Sequence, residues 1–131
     1  MPSVPSAPVL VADDDPDDLF FARRSLQKAG VTGDILTCAD GAEVIDLLGA
    51  LEVQKKPAPG IVFLDIKMPH LDGFETLRWI RNQDHLRDIR VIMLSGSNEP
   101  RDVARARELG ADDYLVKFPP PEAFSRVLGR G

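Results

Sequence analysis

The sequence predicts an α/β fold, a parallel sheet with helices on both faces. Three observations carry this. Five short apolar runs alternate with stretches of helical periodicity, and strand–helix–strand units of that kind make right-handed crossovers that lay helices over a sheet. The runs are nearly continuous in apolar residues, as strands covered on both faces are. Four of them lead into a chemically active side chain, Asp13, Asp65, Ser95 or Lys117, and open α/β sheets build their sites at the carboxyl ends of their strands. At 131 residues the chain suits one domain with its own core.

The elements follow in order. Val9-Leu10-Val11-Ala12 is the first strand and runs into Asp13-Asp14-Asp15. Asp15-Pro16-Asp17-Asp18 then reads as a helix start: an N-cap aspartate, proline at the first helical position, and acids where the helix dipole favours them. These roles account for Asp15, Asp17 and Asp18, which are not read as ligands. The helix carries Leu19, Ala22, Leu26 and Ala29 on one face and stops at Gly30. Ile35 to Thr37 is a short second strand, and Gly41 to Leu51 a helix with Val44, Leu47, Leu48 and Leu51 inward. Glu52 to Gly60, holding two prolines and two lysines, is a surface loop. Ile61 to Leu64 is the third strand. After the turn Met68-Pro69-His70-Leu71-Asp72-Gly73, Asp72 is placed to cap a helix that turns Phe74, Leu77 and Ile80 inward. Val91 to Leu94 leads into Ser95-Gly96-Ser97. A fourth helix opens near Pro100, carries Val103, Ala106 and Leu109, and ends at Gly110. Tyr114 to Val116 is the fifth strand, and a short helix from Pro121 through Leu128 is the last element.

Composition narrows the function classes. An apolar fraction of 44% and a charged fraction of 28% are ordinary for a globular domain, and a net charge of −5 argues against nucleic-acid binding. Arg78 and Arg81, then Arg101, Arg105 and Arg107, alternate with acids and read as solvated helix faces. The single cysteine, Cys38, has no partner for an internal disulfide and reads as packing in a reducing, cytoplasmic setting. Residues 1–8 lack the basic and apolar regions of a signal peptide and read as a flexible arm. No apolar run approaches the ~20 residues of a membrane span.

The chemistry lies in the strand-end residues. Clustered carboxylates repel one another unless something neutralises them, and a hard divalent cation with oxygen ligands is the usual answer. Asp13 and Asp14 sit where the chain turns out of a strand, so both can face one ion. Asp65 is then the candidate nucleophile, since a carboxylate can attack phosphorus and hold the phosphoryl group as an acyl phosphate. Ser95 offers a hydroxyl and Lys117 a point charge to phosphoryl oxygens. Alone, either would be an ordinary turn serine or surface lysine; sharing an edge with the acids gives them weight. A calcium loop over Asp13-x-Asp15-x-Asp17 is rejected, because Asp18 and Arg24 stand where it needs glycine and an acid. Asp13 and Asp15 also match the opening of the haloacid dehalogenase type of phosphatase, but Asp17 replaces its usual threonine and its cap insertion is missing. A Mg-dependent aspartate-nucleophile phosphatase is therefore only an alternative.

Four strings carry a resemblance: Val11-Ala12-Asp13-Asp14-Asp15, Leu64-Asp65-Ile66-Lys67-Met68-Pro69 followed by Asp72-Gly73, Leu94-Ser95-Gly96, and Gly110-Ala111-Asp112-Asp113-Tyr114-Leu115-Val116-Lys117. With them the chain resembles the receiver domain of bacterial two-component response regulators from Val9 to Leu128. The resemblance implies a flavodoxin-like, doubly wound five-stranded sheet of strand order 2-1-3-4-5, with residues 9–131 as the receiver. It implies that Asp65 accepts a phosphoryl group from a histidine kinase or phosphotransfer protein. Asp14 and Asp65 would ligate Mg2+ (or Mn2+) directly, Asp13 through water, and the backbone carbonyl of Lys67 would complete the protein ligands. Ser95 and Lys117 would hold the phosphoryl oxygens, and Tyr114 would be the switch aromatic that follows Ser95. Lys67, Gly96 and Ser97 would tune the phosphoryl lifetime.

The expected protein is a stand-alone, cytoplasmic regulator that signals by phosphorylation-dependent partner binding or serves as a phosphate sink. It would act on no outside substrate, bind neither nucleic acid nor membrane, and be a monomer or weak homodimer. The alternative within this family is a phosphorylation-independent interaction module. One departure stands out. The family follows its lysine with proline through a cis bond, whereas Phe118 follows Lys117 here, ahead of Pro119-Pro120-Pro121. Either a non-proline cis bond forms, which is rare, or the bend moves to Phe118-Pro119.

Overall fold

Apolar residues at consecutive positions, interrupted by polar turns, give five strands: β1 (Val9–Ala12), β2 (Ile35–Cys38), β3 (Ile61–Asp65), β4 (Arg90–Ser95) and β5 (Asp113–Val116). The helices between and after them are α1 (Pro16–Lys28), α2 (Gly41–Val53), α3 (Gly73–Arg81), α4 (Pro100–Glu108) and α5 (Pro121–Leu128). The computed structural model describes residues 7–129. Most of the expected arm, residues 1–8, lies outside them. Of the part inside, the Pro8 carbonyl accepts a hydrogen bond from Gly60 N at 3.1 Å.

All strand pairs are parallel, and the order is β2-β1-β3-β4-β5, the flavodoxin-like arrangement. Successive side chains of a strand point to opposite faces, which divides the core in two. Leu10, Ala12, Val62, Leu64, Val91 and Met93 pack with Val44, Leu48, Phe74, Leu77 and Ile80 of α2 and α3. Val9, Val11, Ile61, Phe63, Ile92, Leu94 and Leu115 pack with Ala22 and Leu26 of α1 and with Phe124 and Val127 of α5. Phe63 and Phe124 meet edge to face at 5.2 Å across that second layer. Cys38 is buried in the first.

The helix starts follow local chemistry. Asp15 accepts hydrogen bonds from the amides of Asp17 and Asp18 ahead of Pro16, and α1 ends before Gly30, whose φ of 108° suits glycine. Asp72 and Glu75 form a reciprocal capping box on α3. Asp72→Ala is expected to cost about 1 kcal/mol of stability; an unchanged thermal midpoint would contradict that role for the cap.

Two sequence expectations need correction. Asp65 and Ser95 are not beyond their strands but are their last residues, because the ladder continues to pair Asp65 with Leu94 and Ser95 with Val116. Arg81 is not on a solvated face. Its guanidinium donates to Gly110 O, Ile89 O and Asp112 Oδ2, at 2.9, 2.7 and 2.9 Å, and ties α3 to the start of β5. A short 3-10 turn, Asp84–Leu86, which has no periodic signal, buries Leu86 under α3.

Candidate functional site

The carboxyl ends of β1, β3, β4 and β5 open into a basin of about 970 Å³. Asp13, Asp14, Asp65, Lys67, Ser95, Gly96, Ser97, Lys117 and Phe118 are among the residues lining it. Of the residues singled out in the sequence, only Tyr114 is outside this lining. Its hydroxyl instead donates to the Ser97 carbonyl at 2.7 Å, on the loop that follows Ser95, and burial pushes its phenol pKa up.

Each acid is positioned by its strand. Asp13 follows β1 directly, and its amide donates to Cys38 O at 3.0 Å. Its side chain is 3% exposed and accepts a hydrogen bond from Asp15 N. Asp65 ends β3 and is likewise buried, while Asp14 is exposed. One oxygen from each of Asp13, Asp14 and Asp65 lies within 4.8 Å of the others. An all-oxygen, all-carboxylate donor set of this size fits a hard divalent cation such as Mg2+.

Gly73 is part of how Asp65 is held. A Cβ there would lie 2.3 Å from the Asp65 carbonyl oxygen, so only glycine lets α3 start this close to the end of β3. The Gly73 amide donates to Ile66 O at 2.8 Å and fixes the turn. Gly96, by contrast, faces open space.

Among the described residues, Lys117 is the cation that pairs with the buried carboxylates. Its Nζ is 2.5 Å from Asp13 Oδ2, 2.8 Å from Asp18 Oδ2 and 3.2 Å from Asp65 Oδ1. The Lys117–Phe118 peptide is cis, the first of the two alternatives for this loop. Lys117 N donates to Ser95 O at 2.7 Å, and Ser95 Oγ accepts from Ser97 N at 3.1 Å. Serine and lysine thus belong to adjoining strand ends.

The electrostatics follow from burial and crowding. Burial, reinforced by the neighbouring Asp13 charge and opposed by Lys117, pushes the Asp65 carboxyl up to about 6. Burial also raises Asp13, against the hydrogen bond from Lys117. Burial works against the Lys117 charge, but the hydrogen bonds to Asp13 and Asp18 outweigh it and raise its pKa. The cluster carries more negative charge than one lysine offsets, which is the condition for attracting a cation.

Two features have no local signal in the sequence. Asp18 caps nothing; it pairs with Lys117 from 99 positions away. Phe20, Phe21 and Phe118 are each more than half exposed, with Phe21 and Phe118 in ring contact at 6.1 Å beside the basin.

A doubly wound sheet with an acid cluster and a lysine converging at its switch-point edge defines a class: α/β proteins that handle a cation and an anionic group together. The comparisons make this particular. Residues 9–127 match the response regulator receiver domain, and the chain belongs to that family. It is 35% identical over 121 residues to protein PilG of Pseudomonas aeruginosa, covering 92% of this chain and 82% of that protein. It is 33% identical over 120 residues to the alkaline phosphatase synthesis transcriptional regulatory protein PhoP of Bacillus subtilis, covering 91% of this chain but 46% of PhoP. The chain therefore spans about half the length of such transcriptional regulators. Among solved structures it is similar to the bacteriophytochrome response regulator AtBRR, with a TM-score of 0.83 and 32% identity, covering 94% of this chain and 90% of that one.

Receiver domains are signal transducers of two-component systems that interact with histidine kinases or phosphotransfer proteins and bind Mg2+ at an acidic pocket. Among the described residues no helix is long and apolar enough to cross a membrane.

Proposed function

We propose that this chain is a phosphoryl-accepting response regulator whose acceptor is Asp65. The observation that carries the reading is the convergence of Asp65, Asp13 and Asp14 with Lys117 at one sheet edge. An Asp65 oxygen forms the new O–P bond as the N–P bond of a donor phosphohistidine breaks. The imidazole keeps the electron pair of the broken bond and takes up a proton. Lys117 and the Ser95 hydroxyl face the incoming oxygens, and the buried walls of the basin keep the reacting carboxylate in place. Asp13, Asp14, Asp65 and the Lys67 carbonyl would hold Mg2+, or Mn2+ in its place, which supplies charge neutralisation for the transfer.

The donor is a histidine kinase or phosphotransfer protein. The modified regulator then binds a partner protein or serves as a phosphate sink in the cytoplasm, as a monomer or weak homodimer. Tyr114, tied to the loop after Ser95, is the side chain through which the phosphoryl state reaches the β5 surface. Lys67, Gly96 and Ser97 set access of water to the acyl phosphate.

Intact-mass spectrometry after incubation with acetyl phosphate and Mg2+ tests the reading. Wild type is expected to gain one phosphoryl adduct that requires the metal, and Asp65→Asn none. No adduct on wild type would favour a module that binds its partner without phosphorylation. Repeated turnover of a generic phosphoester would instead mark a phosphatase.

A further inference from the structure

The Lys117 ammonium has three N–H donors, and three carboxylates stand within 3.2 Å of it, those of Asp13, Asp18 and Asp65. Such an ammonium has no donor for a phosphoryl oxygen until one carboxylate yields. Asp13 and Asp65 belong to the acid cluster that a divalent cation would neutralise. Asp18 is not in that cluster, and among the described residues Lys117 is its one ion-pair partner. Its side chain is 18% exposed and that of Lys117 12%, so water screens the pair only in part. Asp18 stands in the first turn of α1, whose start is fixed by Asp15, while Lys117 follows β5 directly.

From this we infer that Asp18 is a positioning residue that competes with the phosphoryl group for Lys117 and holds down the rate at which Asp65 is modified. The inference rests on Asp65 being the phosphoryl acceptor. Paired with an ionised Asp18, Lys117 presents little net charge to an incoming anion. Asparagine at this position keeps the size and one acceptor oxygen but removes the charge. Lys117 is then freer to meet a phosphoryl oxygen. It also bears harder on Asp13 and Asp65, which makes the acid cluster less attractive to a cation. The two effects have opposite signs, whereas general damage to the fold would depress both.

The test uses the full chain. At saturating Mg2+, the rate of adduct formation with acetyl phosphate is followed by intact mass for wild type, Asp18→Asn, Asp18→Glu and Asp17→Asn. The affinity for Mg2+ alone is measured by calorimetry. Asp18→Asn is expected to form the adduct roughly two- to fivefold faster and to bind Mg2+ weaker by a similar factor, the size of a partly exposed ion pair. Asp18→Glu restores the charge and should return the rate toward wild type. Asp17 is exposed on the same turn, so Asp17→Asn removes equal charge without relieving Lys117 and should not accelerate the reaction. An unchanged or slower Asp18→Asn rate, a matching acceleration in Asp17→Asn, or unchanged or tighter Mg2+ binding would each overturn the inference and leave the Asp65 reading standing. No adduct on wild type would overturn both.

Discussion

Lys117→Met is expected to cost the metal-free protein about 2–3 kcal/mol of stability, and Mg2+ is expected to restore most of it. Removing one partner of a buried ion pair is strongly destabilising, about 3–5 kcal/mol, because it leaves the other charge uncompensated. Here the lysine answers three carboxylates, so its loss leaves Asp13, Asp18 and Asp65 facing one another. The lower figure reflects an open basin, into which water can reach. Methionine keeps most of the aliphatic stem, so lost packing adds little. A cation that binds only the folded state stabilises by mass action, and it would find a more negative site than in wild type. Mg2+ should therefore bind more tightly and raise the unfolding midpoint by more than it does for wild type. Urea unfolding with and without Mg2+ reads both effects. Equal Mg2+ stabilisation of the two proteins would mean that Lys117 does not serve as the counter-charge of the acid cluster.

The second large effect has the opposite sign. Asp65→Asn is expected to stabilise the metal-free protein by about 2–3 kcal/mol near neutral pH. Asp65 in the folded protein is pushed up to about 6 from an ordinary 3.8, first by burial and then by the charge of Asp13. Between those two values the folded state holds a proton that the unfolded chain has released. Stability therefore falls as pH rises from about 4 to about 6, and the full penalty is present above that window. Asparagine carries no charge at either pH. The advantage of the variant should thus be large at pH 7.5 and close to nothing at pH 4. Denaturant titrations of wild type and variant at the two pH values check this; a constant difference between them would show that relief of charge is not the cause. The same substitution removes the proposed acceptor, so the variant is more stable and inactive together. That combination follows from a site that holds like charges close for chemistry at the expense of stability.

Much of this was legible locally. The strands are apolar runs whose order of appearance, with helices between them, fixes parallel pairing. Asp15 ahead of Pro16, Asp72 with Glu75, and Gly30 carry signals that operate within a single turn, and each does in the fold what its local chemistry implies. The strand-end residues Asp13, Asp65, Ser95 and Lys117 could be brought to one edge by topology alone, because in a parallel sheet every carboxyl end lies on the same side. Strand ends were less legible. Asp65 and Ser95 were placed one residue too far out, since hydrogen-bond ladders extend into polar residues when a neighbouring strand is there to pair with them.

What the amino-acid sequence determined by itself is the class of fold, the strand order through its family motifs, and that Asp13, Asp14, Asp65, Ser95 and Lys117 share one sheet edge. Only the tertiary structure decided how those side chains divide their interactions. Asp18 has the pattern of a first-turn helix acid, yet it pairs with a lysine 99 residues later. Arg81 has the pattern of a surface arginine, yet it spans α3 and the approach to β5. The Lys117–Phe118 peptide took one of two open conformations. For the two ionic contacts the physical reason is the same. Propensity, capping and periodicity act over a few residues, whereas an ion pair forms wherever folding brings two charges together out of water, and no local pattern records the partner.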